Sequence, residues 1–155
     1  MNVTSMVGYA PEEIRIEAAT RSTRLKWVIL VDAELPAGRA VNAAVCVATA
    51  TGEAVRGLLG PDVKDARGVV HPGLPWGGCS ILSASAEQLA QIRRKALEFP
   101  EIFLADMPEA AQSVRVYAEY LDRVANEDEM PYLAVSLIGP RKRIDRLVGR
   151  LPLLP

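Results

Sequence analysis

His71 is the only histidine in the chain, and two aspartates precede it at Asp62 and Asp65. An imidazole beside carboxylates can move a proton near neutral pH, so these three are candidates for general acid–base catalysis. They are also metal-ligand types. Their spacing fits no metal motif, and one histidine with two carboxylates is thin for a transition metal, so no metal site is expected. The same residues have a structural use, with the aspartates capping turns and the histidine ordering its loop. Both uses remain open because Gly60 to Gly73, with three glycines and two prolines, is long for a loop. Loops of that length in compact domains are usually functional or mobile.

A second possible chemistry is anion binding. Arg141, Lys142, Arg143, Arg146 and Arg150 stand against a single acid, Asp145, in ten residues. Arg39 begins an apolar helical segment whose most polar residue is Asn42. At helix starts, free N–H groups and the macrodipole add to the pull of a cation on an anion. If Arg39 and Arg141 share a sheet edge, Arg39, Asn42, Asp62, His71, Arg141 and Lys142 would surround a small anionic ligand or an RNA phosphate. Otherwise the basic run is a solvated helix face. Four tyrosines and two tryptophans leave little for base stacking. No GxGxxG, phosphate loop, GxSxG or CxxC occurs, and no cofactor is expected. Cys46 and Cys79 fall in apolar segments and read as small buried hydrophobes.

These residues need a scaffold. The chain has 155 residues, is 50% hydrophobic, and carries 18 Lys+Arg against 19 Asp+Glu. That is enough for one domain, and it excludes a uniformly basic sleeve for nucleic acid. Two cysteines make no disulfide framework, so reduced thiols and a cytoplasmic protein are expected. The first residues lack a signal-peptide pattern, and no apolar run approaches the ~18–20 residues of a membrane span. Residues 1–22 read as an arm lying on the domain or on a neighbour, outside the core. Residues 23–155 read as the domain.

Within the domain, strands are expected at 25–31, 79–83, 102–105 and 132–138. Alternating helices are expected at 39–50, ended by Gly52, after the capping box Ser85–Gln88, from Asp106 through Val124, and after Pro140. Asp65 to Gly68 reads as the turn of a small hairpin. The apolar residues of 39–50 go nearly all round, so that helix should be buried on more than one side. The apolar tail 151–155 should pack extended along the domain. Alternation of this kind means helices against a mostly parallel or mixed sheet.

Three segments together carry a resemblance. They are Lys26–Val31 with Leu35, Gly38-Arg39 and Ala43-Ala44; Gly60-Pro61-Asp62 with Asp65, Gly68 and His71-Pro72-Gly73; and Ile138–Lys142 with Asp145–Leu147, Gly149 and Leu151–Leu154. The chain resembles a family of small bacterial proteins of uncharacterised function, similar in fold to the type II peptidyl-tRNA hydrolases. The resemblance implies an α/β fold of three layers, a four-stranded mixed sheet flanked by helices, often dimeric. The hydrolases' first helix opens on glycine-lysine-glycine-lysine, followed by alanines, a glutamine and a histidine. Here Gly38 and Arg39 match the first pair. Ala40 and Val41 replace the second, including the lysine usually judged essential. Val45 replaces the glutamine and Ala48 the histidine. Asp122 aligns with the acid of a later aspartate-alanine-glycine motif, but Arg123 and Val124 replace its neighbours. Asn126 and Tyr132 stand where threonines are expected.

The expected function is therefore binding of a small polar or anionic ligand on a scaffold that has lost most of its catalytic set. The expected site is a cleft between the first helix, the 60–73 loop and the last helix. The alternative is a hydrolase of acyl or ester bonds, possibly of peptidyl- or aminoacyl-tRNA, using His71, Asp62 and Asp65. A homodimer is expected, with the arm or the first helix near the contact, and no membrane partner.

Overall fold

The computed structural model describes residues 7–155; the first six residues of the arm lie outside them. Four strands form one mixed sheet in the order β4–β1–β6–β5, namely Ser80–Ala84, Leu25–Asp32, Tyr132–Pro140 and Phe103–Pro108. β1 pairs parallel with β4 and antiparallel with β6, and β6 pairs antiparallel with β5. Three strands thus run one way and β6 the other. β1 from Trp27 to Val31 and β6 around the buried Ser136 are apolar because both their faces are covered.

Each face has its own core. Helix α1, Ala37–Ala54, covers one face together with Trp27, Ile29, Val31, Ala134 and Ile138. Helices α2, Ala86–Ala96, and α5, Arg141–Val148, cover the other over Val28, Leu30, Val135 and Leu137. The capping box at α2 forms in both directions, Gln88 N–H to Ser85 Oγ at 3.1 Å and Ser85 N–H to Gln88 Oε1 at 2.9 Å. The tail lies extended along β4, with Ser83 N–H donating to the Pro152 carbonyl and Leu154 N–H to that of Ile81.

Several sequence expectations need correction. α1 runs through Gly52 and stops at Val55, which turns extended. It is buried on one face only, through Ala40, Ala43, Val47 and Thr51, while Val41, Val45, Asn42 and Cys46 are exposed. Its small residues let it lie close to the sheet, which leaves its larger ones outside. β5 continues through Asp106-Met107-Pro108, where a helix start was expected; an edge strand tolerates proline at its end. The single helix expected over 110–124 is two, α3 (Ala110–Ser113) and α4 (Tyr117–Ala125). Val114 and Val116 between them are extended, as suits β-branched side chains. The arm also reaches the core: Val7 and Tyr9 are buried beside α1, and the Tyr9 hydroxyl donates to the Leu25 carbonyl at 3.3 Å.

Candidate functional site: the groove beside the first helix

The sequence candidates fall into separate places. The 60–73 segment forms a hairpin, β2 (Val63–Lys64) against β3 (Val70–His71), around the expected turn, with Gly68 at φ +83°. Its polar groups are spent on its own backbone. Asp65 Oδ1 accepts from Arg67 N–H at 2.8 Å and from Val69 N–H at 3.0 Å. Those backbone donors hold the Asp65 carboxyl below its ordinary range. Asp62 Oδ1 accepts from Gly73 N–H at 2.9 Å. Gly73 is tied to this clasp by space, since a Cβ there would lie 1.9 Å from the Gly60 carbonyl oxygen. His71 Nε2 stands 3.4 Å from Asp65 Oδ2, with its side chain largely exposed.

Arg141 is a structural staple. Its guanidinium donates to the Thr23 carbonyl at 3.1 Å and to Thr23 Oγ1 at 2.9 Å, holding the chain's entry into β1. Lys142 beside it is exposed. Arg39 cannot share a site with them. The β1–β6 register pairs Leu25 with Pro140, so Arg141 sits at the start of β1, whereas α1 begins beyond its end. An eight-residue strand separates the two ends by about 27 Å. The hairpin lies with Arg141, because α1 carries the chain back over a similar length, about 27 Å for 18 residues. The expected cleft joining Arg39 and Asn42 to His71 and the last helix is therefore not formed. Among the described residues no hydrogen bond or ion pair links these groups.

Arg39 and Asn42 instead meet a residue that the sequence did not single out, Gln112 of α3. Arg39 Nε donates to Gln112 Oε1 at 2.7 Å. The Gln112 amide donates to the Arg39 carbonyl at 3.0 Å and to Asn42 Oδ1 at 3.1 Å. Arg123, one of the residues departing from the hydrolase pattern, donates to Ser113 Oγ at 2.8 Å and to Glu127 at 2.8 Å, tying α4 to α3. The two ties place the α3–α4 segment alongside α1 without filling the space between them.

That space is a groove of about 680 Å³ between α1, the end of β5 and the 114–120 segment. Val45, Met107, Val114 and Val116 make its walls mainly apolar. Tyr117 and Tyr120, with ring centroids 5.4 Å apart, close one side. Burial raises the Tyr120 hydroxyl above its ordinary value, so it stays a neutral donor. Asp106 on the rim is held by Arg93 at 2.6 Å. Arg115 also lines the groove and makes no hydrogen bond or ion pair with any described residue. Cys46, expected to be buried, is exposed on the α1 wall. Cys79 is half-buried, and that desolvation pushes its thiol up to about 12, so it stays protonated and a poor nucleophile. The available signal for the groove was the pair Val114 and Val116, which breaks the helical pattern around Arg115.

Residues 25–155 match the model of a family described as proteins of unknown function, DUF2000. The chain belongs to that family. A solved structure of a protein of unknown function from Agrobacterium tumefaciens strain C58 superposes with a TM-score of 0.74 at 18% identity. It covers 84% of this chain and 97% of its own, and it shares the fold. No curated protein matches the chain. No described helix is long and apolar enough to cross a membrane, and no described cluster of His, Cys, Asp and Glu could hold a metal.

Proposed function

We propose that this chain is a binding protein on a type II peptidyl-tRNA hydrolase-like scaffold, and that its ligand is a small molecule with an apolar body and an anionic end. The observation that carries this reading is Arg115, a guanidinium with no hydrogen-bond or ion-pair partner among the described residues, on the wall of a mainly apolar groove. Small-molecule sites have that make-up, an apolar lining with a few polar groups that fix orientation. A volume of about 680 Å³ suits a ligand of modest size. Binding fits better than cleavage because Val41 stands where the resemblance puts the hydrolases' essential lysine, and its side chain is exposed. The free thiols Cys46 and Cys79 support a cytoplasmic setting.

Octanoate is a suitable probe. Titrated into the protein and followed by backbone amide shifts, it should perturb residues 42–49 and 114–120. Octylammonium should leave them unmoved. Arg115→Gln should weaken octanoate binding by about tenfold or more, the loss of a charge-assisted hydrogen bond. Absence of shifts at 10 mM octanoate, on the order of the weakest useful affinity, overturns the reading.

A further inference from the structure

We propose that a second cavity, at the start of β1, binds a phosphate dianion, free or as the end of a small monoester, between Arg21, Lys26, Arg141 and the backbone of Gly77-Gly78. The cavity has a volume of about 240 Å³ and mainly polar walls. That is below the ~300–1,000 Å³ of drug-sized sites, so it suits an ion or a small charged end group. Three of its lining residues are cations, and no acid among the described residues lines it.

Long-range pairing brings these residues together. The β1–β6 register sets Lys26 opposite Gly139, just before Arg141. The parallel β1–β4 register sets Val28 beside Ser80 and so carries Gly78 to the level of Lys26. Arg141 Nη2 donates to the Thr20 carbonyl at 3.4 Å and to Thr23 Oγ1 at 2.9 Å. That hold fixes the short turn Thr20–Ser22, which carries Arg21 to the same cavity. Gly78 packs against this turn, since a Cβ added to it would lie 3.8 Å from Thr20 Cβ.

The donors here are largely unspent. Arg21 makes no hydrogen bond or ion pair with any described residue. Arg141 uses Nε and Nη2 on the Thr20–Thr23 stretch and leaves Nη1 without an acceptor among the described residues. The Gly77 and Gly78 N–H groups donate to no described residue either. Gly78 has φ +72°, and successive N–H groups around a left-handed residue make anion-binding concavities. Lys26 alone has an acidic partner, Asp145 of α5. Three cations less that one carboxylate leave two positive charges, the complement of a phosphate dianion. Guanidinium and backbone N–H groups are strong donors to phosphate oxygens. The cavity shares no residue with the groove beside α1, so either reading can fail without the other.

Amide shifts of the full chain test this. Inorganic phosphate, ribose 5-phosphate and dimethyl phosphate are each titrated to about 10 mM at constant ionic strength and about pH 8, where the first two are dianions. Both dianions should move residues 20–21, 26 and 77–80. Dimethyl phosphate, a monoanion, should bind about tenfold more weakly or not at all. Arg21→Gln should weaken phosphate binding about tenfold and leave the melting temperature unchanged, because Arg21 is exposed. Should that variant disturb the fold, Lys26→Gln reads the same contact with a similar expected loss. Arg146→Gln removes the same charge from an exposed position outside the cavity and should leave binding within about twofold. Tighter binding of ribose 5-phosphate than of phosphate assigns a monoester, and the reverse assigns the free ion. Absence of shifts at these residues with both dianions overturns the proposal. So does equal binding of dimethyl phosphate, or an Arg146→Gln loss as large as that of Arg21→Gln, which would mean a general attraction to the basic surface.

Discussion

The two faces of the sheet are finished differently. Over Val28, Leu30, Val135 and Leu137, helices α2 and α5 insert Leu89 and Ile144, both with no accessible surface. Their outward sides are charged: Arg93, Arg94 and Lys95 on α2, and a mixed series on α5 that includes Lys142, Asp145 and Arg146. On the opposite face α1 meets the sheet through alanines, one valine and Thr51, and turns Val41 and Val45 outward. Beneath it sits a polar network. Trp27 Nε1 donates to Ser136 Oγ at 2.8 Å, and Ser136 Oγ shares a 2.7 Å hydrogen bond with Thr51 Oγ1. One face spends its large apolar residues on stability. The other keeps some of them at the surface.

Substituting one large residue on each face gives the strongest test. Leu89→Ala should cost ~2–5 kcal/mol in urea denaturation, the usual range for a buried leucine. Val45→Ala, at an exposed position, should stay within ~0.5 kcal/mol. Equal losses at the two positions would erase the distinction.

A smaller effect is expected within the α1-side network. Ser136→Ala leaves the buried Trp27 N–H without its acceptor, whereas Thr51 keeps its 2.7 Å bond to the Val47 carbonyl. The cost should be ~1–3 kcal/mol. A loss near zero would mean that the indole finds another partner. Trp27→Phe combined with Ser136→Ala should then be less destabilising than the two single losses added together.

The smallest effect concerns the arm that extends the α1 face. Glu13 accepts from Arg24 Nε at 2.6 Å and from Ala10 N–H at 2.7 Å. Arg24 chiefly, then the backbone donor, lower the Glu13 carboxyl to about 2. A carboxyl lowered by folding stabilises the attached arm above its ordinary value of 4.5 and loses that contribution as pH falls towards 2. Hydrogen exchange of residues 8–13 should therefore lose protection across that acid window, and Glu13→Gln should remove the pH dependence. Unchanged protection from pH 6 to about pH 2 would show that the arm is held by its other contacts, such as Tyr9 N–H to the Arg56 carbonyl and Arg24 to the Gly8 carbonyl.

Local chemistry was the legible part of this chain. The Ser85–Gln88 box and the Asp65–Gly68 turn depend on residues within a few positions of one another, and they form as the sequence implies. The four strands were legible for a similar reason, since runs such as Trp27–Val31 suit a strand buried on both faces. Errors arose where a neighbour decides. An alanine-rich helix with valines all round reads as buried throughout, but its exposure depends on how far α3 and α4 reach over it. Pro108 reads as a helix start until the edge position of β5 makes its missing N–H harmless.

For the candidate site the division is sharper. The sequence by itself determined that Arg39, Asn42, Asp62, His71 and Arg141 are the polar residues standing beside apolar elements. It could not determine which of them meet. Their separation depends on β1 and β6 running antiparallel and on α1 retracing the length of the strand, and both are long-range pairings that no local pattern encodes. Tertiary structure alone turned Asp62 and Asp65 onto their own hairpin and Arg141 onto Thr23. It also set Arg115 on the groove wall without a partner among the described residues, because a broken helix lies beside a helix of small residues and leaves space between them.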